Sequence, residues 1–311
     1  MRLHRKLLPL LIGLVAFSMA QEVRLAGPVS GLLYNRATGA VQPILGIPGG
    51  AHLGPPILAQ VEWAVVAPDG QHALVRRAGQ CYLVRQLPLA PEWIALEAVR
   101  SPELAAWNRE SSAAAAYSPD GLYLIRNSGS VEPLPVPERI LALAVDAAGR
   151  NVLAAGESGV YLARHGLTPW LLAPVRGARA IAVHGDTAFV AAANQVLEIR
   201  NFADPGQVEI TAFPAEYDPA SDFAGIACSP DGRSLLLADR GAKNVAIYDL
   251  ASRNLSARVA LDFVPTGIDP VPASPLYLLR PGGGLEPFYV LDAQTPSVYF
   301  VPAGAAAPTE E

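Results

Sequence analysis

Beyond the first twenty residues the chain carries four histidines, His52, His72, His165 and His184, and no two stand at metal-ligand spacing. A zinc-protease His-Glu-x-x-His is absent, and so are Cys-x-x-Cys pairs and phosphate-binding glycine loops. Gly156-Glu157-Ser158-Gly159 falls one residue short of a nucleophile elbow and reads as a turn. Glu216, Asp218 and Asp222 crowd one loop, 214–223, with the oxygen donors that Ca²⁺ prefers. The alternating Asp-x-Asp-x-Asp-Gly order is missing, so a solvated loop is expected. His184, Asp186 and Asp269 stand at or near strands expected to line a central channel, and they are the candidate channel mouth. Trp93, Arg100, Trp107 and Arg109 fall within or at the ends of a long segment, 88–112. Tryptophan and arginine anchor interfaces and inserted loops carry function, so this segment is the candidate recognition loop. No catalytic, metal-binding or cofactor-binding residue is assigned.

These residues must be positioned by repeated hairpins. Val65-Val66-Ala67-Pro68-Asp69-Gly70, Ala115-Ala116-Tyr117-Ser118-Pro119-Asp120-Gly121 and Ile226-Ala227-Cys228-Ser229-Pro230-Asp231-Gly232 each run into a second apolar stretch. Two degenerate copies end at Gly149 and at Gly185-Asp186. Proline presets the backbone at the first central position of a turn, and Asp and Gly tolerate the later ones, so Asp69, Asp120 and Asp231 are turn residues. A second hairpin comes next, as in 245–259, giving four antiparallel strands per unit. The turn glycines at 70, 121, 149, 185 and 232 lie 51, 28, 36 and 47 residues apart, close to the period of a propeller blade. The 51-residue interval is what marks 88–112 as an insertion. The expected fold is all-β: a single β-propeller of seven four-stranded antiparallel blades near 24–55, 56–100, 110–138, 140–174, 178–212, 223–262 and 264–302. Six blades is the alternative, if the N-terminal hairpin completes the last one. A short helix is expected at 91–96. Cys81 falls on the third strand of one blade and Cys228 on the inner strand of another, too far apart for a disulfide, so two free, mostly buried thiols are expected.

The Ser-Pro-Asp-Gly turns at 118–121 and 229–232, with the strand Ile247-Tyr248-Asp249-Leu250, resemble those of YVTN-type and WD-repeat-like β-propellers of secreted bacterial proteins. The resemblance covers about residues 24–302, and the opening segment 31–54, with Ile47-Pro48-Gly49-Gly50, is similar to the first blade of such proteins. It implies a fold; that group includes binding proteins, lactonases and proteins of unknown role. Sialidase-type Asp boxes are not matched, nor are the tryptophan-docking repeats of quinone-dependent dehydrogenases.

Arg2, Arg5 and Lys6, then the apolar run 7–17 and Ser18-Met19-Ala20, form a secretory signal with cleavage expected before Gln21. Its apolar run is about half as long as a bilayer requires. The expected division is a signal peptide at 1–20, a propeller at 21–302 and a disordered tail at 303–311. Cleavage leaves 20 basic against 28 acidic residues, a formal charge of −8, with Lys243 the one lysine. That balance disfavours nucleic acid and anionic membranes as partners. The expectation is a secreted or periplasmic monomer without cofactor, not inserted in a membrane. It would act as a non-catalytic binding or scaffold propeller for a protein or small-molecule ligand of the cell envelope. The alternative is a lactonase- or lyase-like enzyme with a metal at the central channel.

Overall fold

The computed structural model describes residues 27–192, 194–214, 221–282 and 288–302. The expected signal peptide 1–20, the expected tail 303–311, Glu216, Asp218 and the pair Gly283-Gly284 lie outside the described residues.

Seven antiparallel sheets succeed one another along the chain, at 29–53, 63–100, 104–134, 140–173, 180–212, 223–260 and 265–301. They are the seven blades of a β-propeller, numbered in chain order. Among the described residues the first contains three strands and each of the others four, laid down in sequence order. In blade 6, Ser234–Asp239 pairs with Phe223–Cys228 on one side and with Asn244–Asp249 on the other. Its residues Leu235, Leu236 and Leu237 are wholly buried. A strand covered on both faces reads as a continuous apolar run, not as an alternation. The outermost strand, Leu255–Ala260, has one face covered and alternates between half-buried and exposed residues.

The core lies between blades. Leu153 and Leu162 of blade 4 pack with Val190 and Ile199 of blade 5. Ring closure uses the same chemistry: Leu33 and Ile44 of blade 1 join Val271, Leu276 and Val290 of blade 7. The Leu53 N–H donates to the Pro302 carbonyl, 3.2 Å away. Cys81 and Cys228 sit on blades 2 and 6 and are free, the first buried and the second partly so.

Two expectations are corrected. Residues 91–96 form no helix, because Glu92–Arg100 is the outermost strand of blade 2 and pairs with Gln80–Arg85. Trp93 and Ile94 favour a pleated surface, and so short a helix has too few internal bonds to compete with a ladder. The turn at Pro119-Asp120 joins the second and third strands of blade 3, Ala113–Ser118 and Gly121–Arg126, not the first and second. The first turn of that blade is 108–112, where Ser111 holds φ at +55° in the place of a glycine. In blade 7 Ala273 does the same at +58°. With these restored, the left-handed turn residues are Gly70, Ser111, Gly149, Gly185, Gly232 and Ala273, at intervals of 41, 38, 36, 47 and 41. The 51-residue interval disappears, and the supposed insertion with it. Segment 88–112 is the last strand of blade 2, a short connection and the innermost strand of blade 3, Leu104–Trp107.

Candidate functional site

The first strand of each of blades 2–7 is innermost, and the turn after it helps to ring one mouth of the central channel. Trp63–Val66, Leu104–Trp107 and Ile140–Val145 carry no ionisable side chain. Ala180–His184, Phe223–Cys228 and Pro265–Pro270 carry one each: His184, Cys228 and Asp269, all at or next to the strand's mouth end.

His184 pairs with Thr187 across the Gly185-Asp186 turn. Its ring lies against Gly232 of blade 6, where an added Cβ would stand 2.0 Å from Nε2. Gly232 is therefore needed twice, for its φ of +71° and for its missing side chain. The other ring nitrogen, Nδ1, lies 3.4 Å from Nη1 of Arg109. Arg109 comes from the first turn of blade 3, so its side chain reaches past blade 4 to blade 5. Asn108, wholly buried, fixes that turn. Its Oδ1 accepts from the Ser112 and Ala113 N–H groups, and its Nδ2 donates to Ser112 Oγ and to the Ala147 carbonyl of blade 4. On the other side the Asp69 N–H of blade 2 donates to Ser111 Oγ at 3.0 Å.

The structure does not gather the three mouth candidates at one point. Asp186 is exposed in the turn of blade 5. Asp269, on blade 7, forms a two-point pair with Arg280, at 2.7 Å from Nε and 3.1 Å from Nη2. Among the described residues no three His, Cys, Asp or Glu side chains meet as metal donors. Asp222, from the acidic loop, binds Arg179 and Arg240.

The four recognition candidates are also dispersed. Trp93 is half-buried on the outer strand of blade 2, edge-on to Tyr82 and 5.6 Å from the Arg77 guanidinium carbon. Arg100 is exposed at the end of that strand. Trp107 lies on the innermost strand of blade 3 and donates through Nε1 to the Val65 carbonyl of blade 2. Arg109 stands in the turn at the mouth, two residues beyond Trp107. Sequence reasoning missed its meeting with His184 and the part played by Gly232. The usable signal was the aligned turn: Asn108-Arg109-Glu110-Ser111 matches Ala67-Pro68-Asp69-Gly70, which puts Arg109 at a turn tip.

Desolvation pushes the thiols of Cys81 and Cys228 up to about 12. A thiol so placed is ionised about once in 10⁵ molecules at neutral pH, so neither is a ready nucleophile. Burial also raises the Tyr277 phenol, which donates to the Cys228 carbonyl. A polar cavity of about 360 Å³ opens beside the first turn of blade 2, lined by Gln71, His72, Arg85, Gln86 and Glu92. Arg85 pairs with Glu92 at 3.1 Å, and His72 Nδ1 lies 2.7 Å from Asp69 Oδ2.

No family model and no curated protein matches the chain. Solved structures do. A functionally unknown protein from Desulfotomaculum acetoxidans DSM 771 is similar at a TM-score of 0.65 and 12% identity, over 87% of this chain and 94% of that one. The β-propeller domain of Cps50 (Swd1) from Myceliophteria thermophila is similar at 0.55 and 13%, over 84% and 95%. Kuenenia stuttgartiensis hydrazine synthase is similar at 0.58 and 13%, over 87% and 98%. At such identities the likeness establishes the seven-bladed propeller and nothing finer.

Proposed function

We propose that the chain is an exported, non-catalytic binding or scaffold propeller whose ligand is a protein or small molecule of the cell envelope. One observation carries the reading. Among the described residues, three ionisable groups lie on innermost strands, on three different blades, and each is engaged locally: His184 by Arg109 and Gly232, Asp269 by Arg280, and Cys228 by a desolvating environment. Acid–base or metal chemistry needs such groups to converge, with a base in reach of the proton it takes. Turns at the mouth tied across blades, 2 to 3 by Asp69 and Ser111, 3 to 4 by Asn108 and Ala147, and 7 to 2 by Ala273 and Pro68, make a rigid surface for recognition. The N-terminal basic and apolar segment supports export.

The test is metal analysis of the mature protein, with thermal unfolding before and after chelation. The expected result is no stoichiometric metal and no shift. Bound metal with a large fall in unfolding temperature would replace this reading with the lactonase- or lyase-like one. Export is tested by cell fractionation and N-terminal sequencing, with Gln21 expected as the first residue.

A further inference from the structure

We propose that Arg109 and His184 form an anion seat at the channel mouth that takes one carboxylate or phosphate group of the ligand. The proposal rests on the binding reading above and names the chemistry of its site. Side chains 75 positions apart, from blades 3 and 5, are brought to 3.4 Å. Arg109 is exposed, and among the described residues it forms no ion pair with a carboxylate.

The seat is built in advance. Asn108 and Ser111 tie the Arg109 turn to blades 4 and 2, and Gly232 backs the His184 ring. Binding therefore has to order little beyond one arginine side chain. With His184 neutral, Nδ1 accepts from the guanidinium and the ring proton sits on Nε2. Once protonated, the imidazolium turns a second donor toward the guanidinium, and two like charges meet. An oxyanion between them accepts from both, and charge-assisted bonds of this kind are the strong ones. Anion binding and protonation of His184 then favour each other.

Arg109 of blade 3 and Gly232 of blade 6 lie against the His184 ring, and the ionisable groups adjacent to them and to His184 in the same turns are Glu110, Asp186, Asp231 and Arg233. Asp231 is already occupied by Ser229 Oγ at 2.6 Å and by the Arg233 N–H at 3.1 Å. These bonds hold its carboxyl below the usual carboxylate range.

The test uses the full mature protein with isotope-labelled histidine. Inorganic phosphate and acetate are titrated separately at constant ionic strength, with chloride as the matched control. The His184 ring signals, assigned with His184→Gln, are expected to shift saturably. Saturation by phosphate alone or by acetate alone supports the seat and identifies the group. Arg109→Gln is expected to weaken binding about 10- to 100-fold. Arg85→Gln, in the cavity of blade 2, should leave it unchanged. No response beyond chloride, or an Arg109→Gln variant that titrates like the native protein, overturns the seat and leaves the binding reading standing. A stoichiometric metal with an intact anion response does the reverse.

Discussion

Replacing Gly232 by alanine separates backbone strain from loss of the His184 contact, because Gly185 provides an internal control. Both glycines hold left-handed backbone, at φ +71° and +61°. An added Cβ at Gly185 meets nothing within 4 Å, whereas at Gly232 it would stand 2.0 Å from His184 Nε2. An alanine in that region costs about 1–2 kcal/mol, partly offset by a stiffer unfolded chain, so Gly185→Ala should destabilise by about 1 kcal/mol. Gly232→Ala carries the same strain and must also turn the imidazole away from its rotamer, which adds about 1 kcal/mol. In a His184→Ala background the added term has nothing to act on. The cost of Gly232→Ala should then fall to that of Gly185→Ala, leaving a coupling of about 1 kcal/mol in the double-mutant cycle. Urea unfolding monitored by tryptophan fluorescence reads these differences as midpoint shifts at constant slope. Equal costs for the two glycine changes, or a cycle that closes at zero, would refute the placement of His184 on Gly232.

Buried polar groups give three further expected outcomes. Asn108→Ala removes four hydrogen bonds from a fully buried side chain and should cost about 2–4 kcal/mol in the same urea assay; a loss below about 0.5 kcal/mol would contradict its role in fixing the Arg109 turn. Glu198 of blade 5 has a side chain only 7% exposed and meets Arg200 at 2.7 Å and Arg253 of blade 6 at 2.8 Å. Glu198→Gln should therefore cost about 1–3 kcal/mol, most of it lost when Arg253 is also replaced by alanine. The thiol of Cys81 is raised from 9.0 to about 12, so the folded state keeps a proton that the unfolded state releases. The stabilisation is complete below about pH 9 and is lost as pH rises toward 12, by at most about 4 kcal/mol. Cys81→Ala should flatten that alkaline fall; an unchanged pH profile would remove Cys81 as a cause.

The blade count and nearly every blade boundary were legible because a strand packed on both faces must be a continuous apolar run closed by turn residues. The phase of blade 3 was not. Ser118-Pro119-Asp120-Gly121 has the composition of a first turn but lies between the second and third strands, while the real first turn hides its left-handed residue as Ser111. Glycine is the cheapest residue at positive φ, not the only one, and Ser111 and Ala273 show how tertiary packing imposes that backbone on others. The slip in phase created a false insertion, and the false insertion drew Trp93, Arg100, Trp107 and Arg109 into one supposed surface. For the site, position was legible and partnership was not. His184 is at a turn in the sequence as in the structure, but its neighbours come from blades 3 and 6, and a side chain that reaches across a ring leaves no local pattern.

The choice between six and seven blades also has a physical resolution that bears on the site. The strand Val29–Asn35 runs opposite to the innermost strands. Its start, at Gly31, faces Val271, Pro272 and Ser274 in the first turn of blade 7, and near its end Tyr34 donates to the Val61 carbonyl just ahead of the first strand of blade 2. It therefore holds the place of a second strand, and the described part of blade 1 comprises strands two to four. At the mouth, the first turns of blades 7 and 2 touch directly. The Ala273 N–H donates to the Pro68 carbonyl at 2.8 Å, and an added Cβ on Gly70 would stand 3.2 Å from that of Ala273. Seven sheets share the apolar core, and among the described residues six first turns stand at the mouth. Across this mouth one arginine side chain, from blade 3, spans the intervening blade 4 to reach His184 of blade 5.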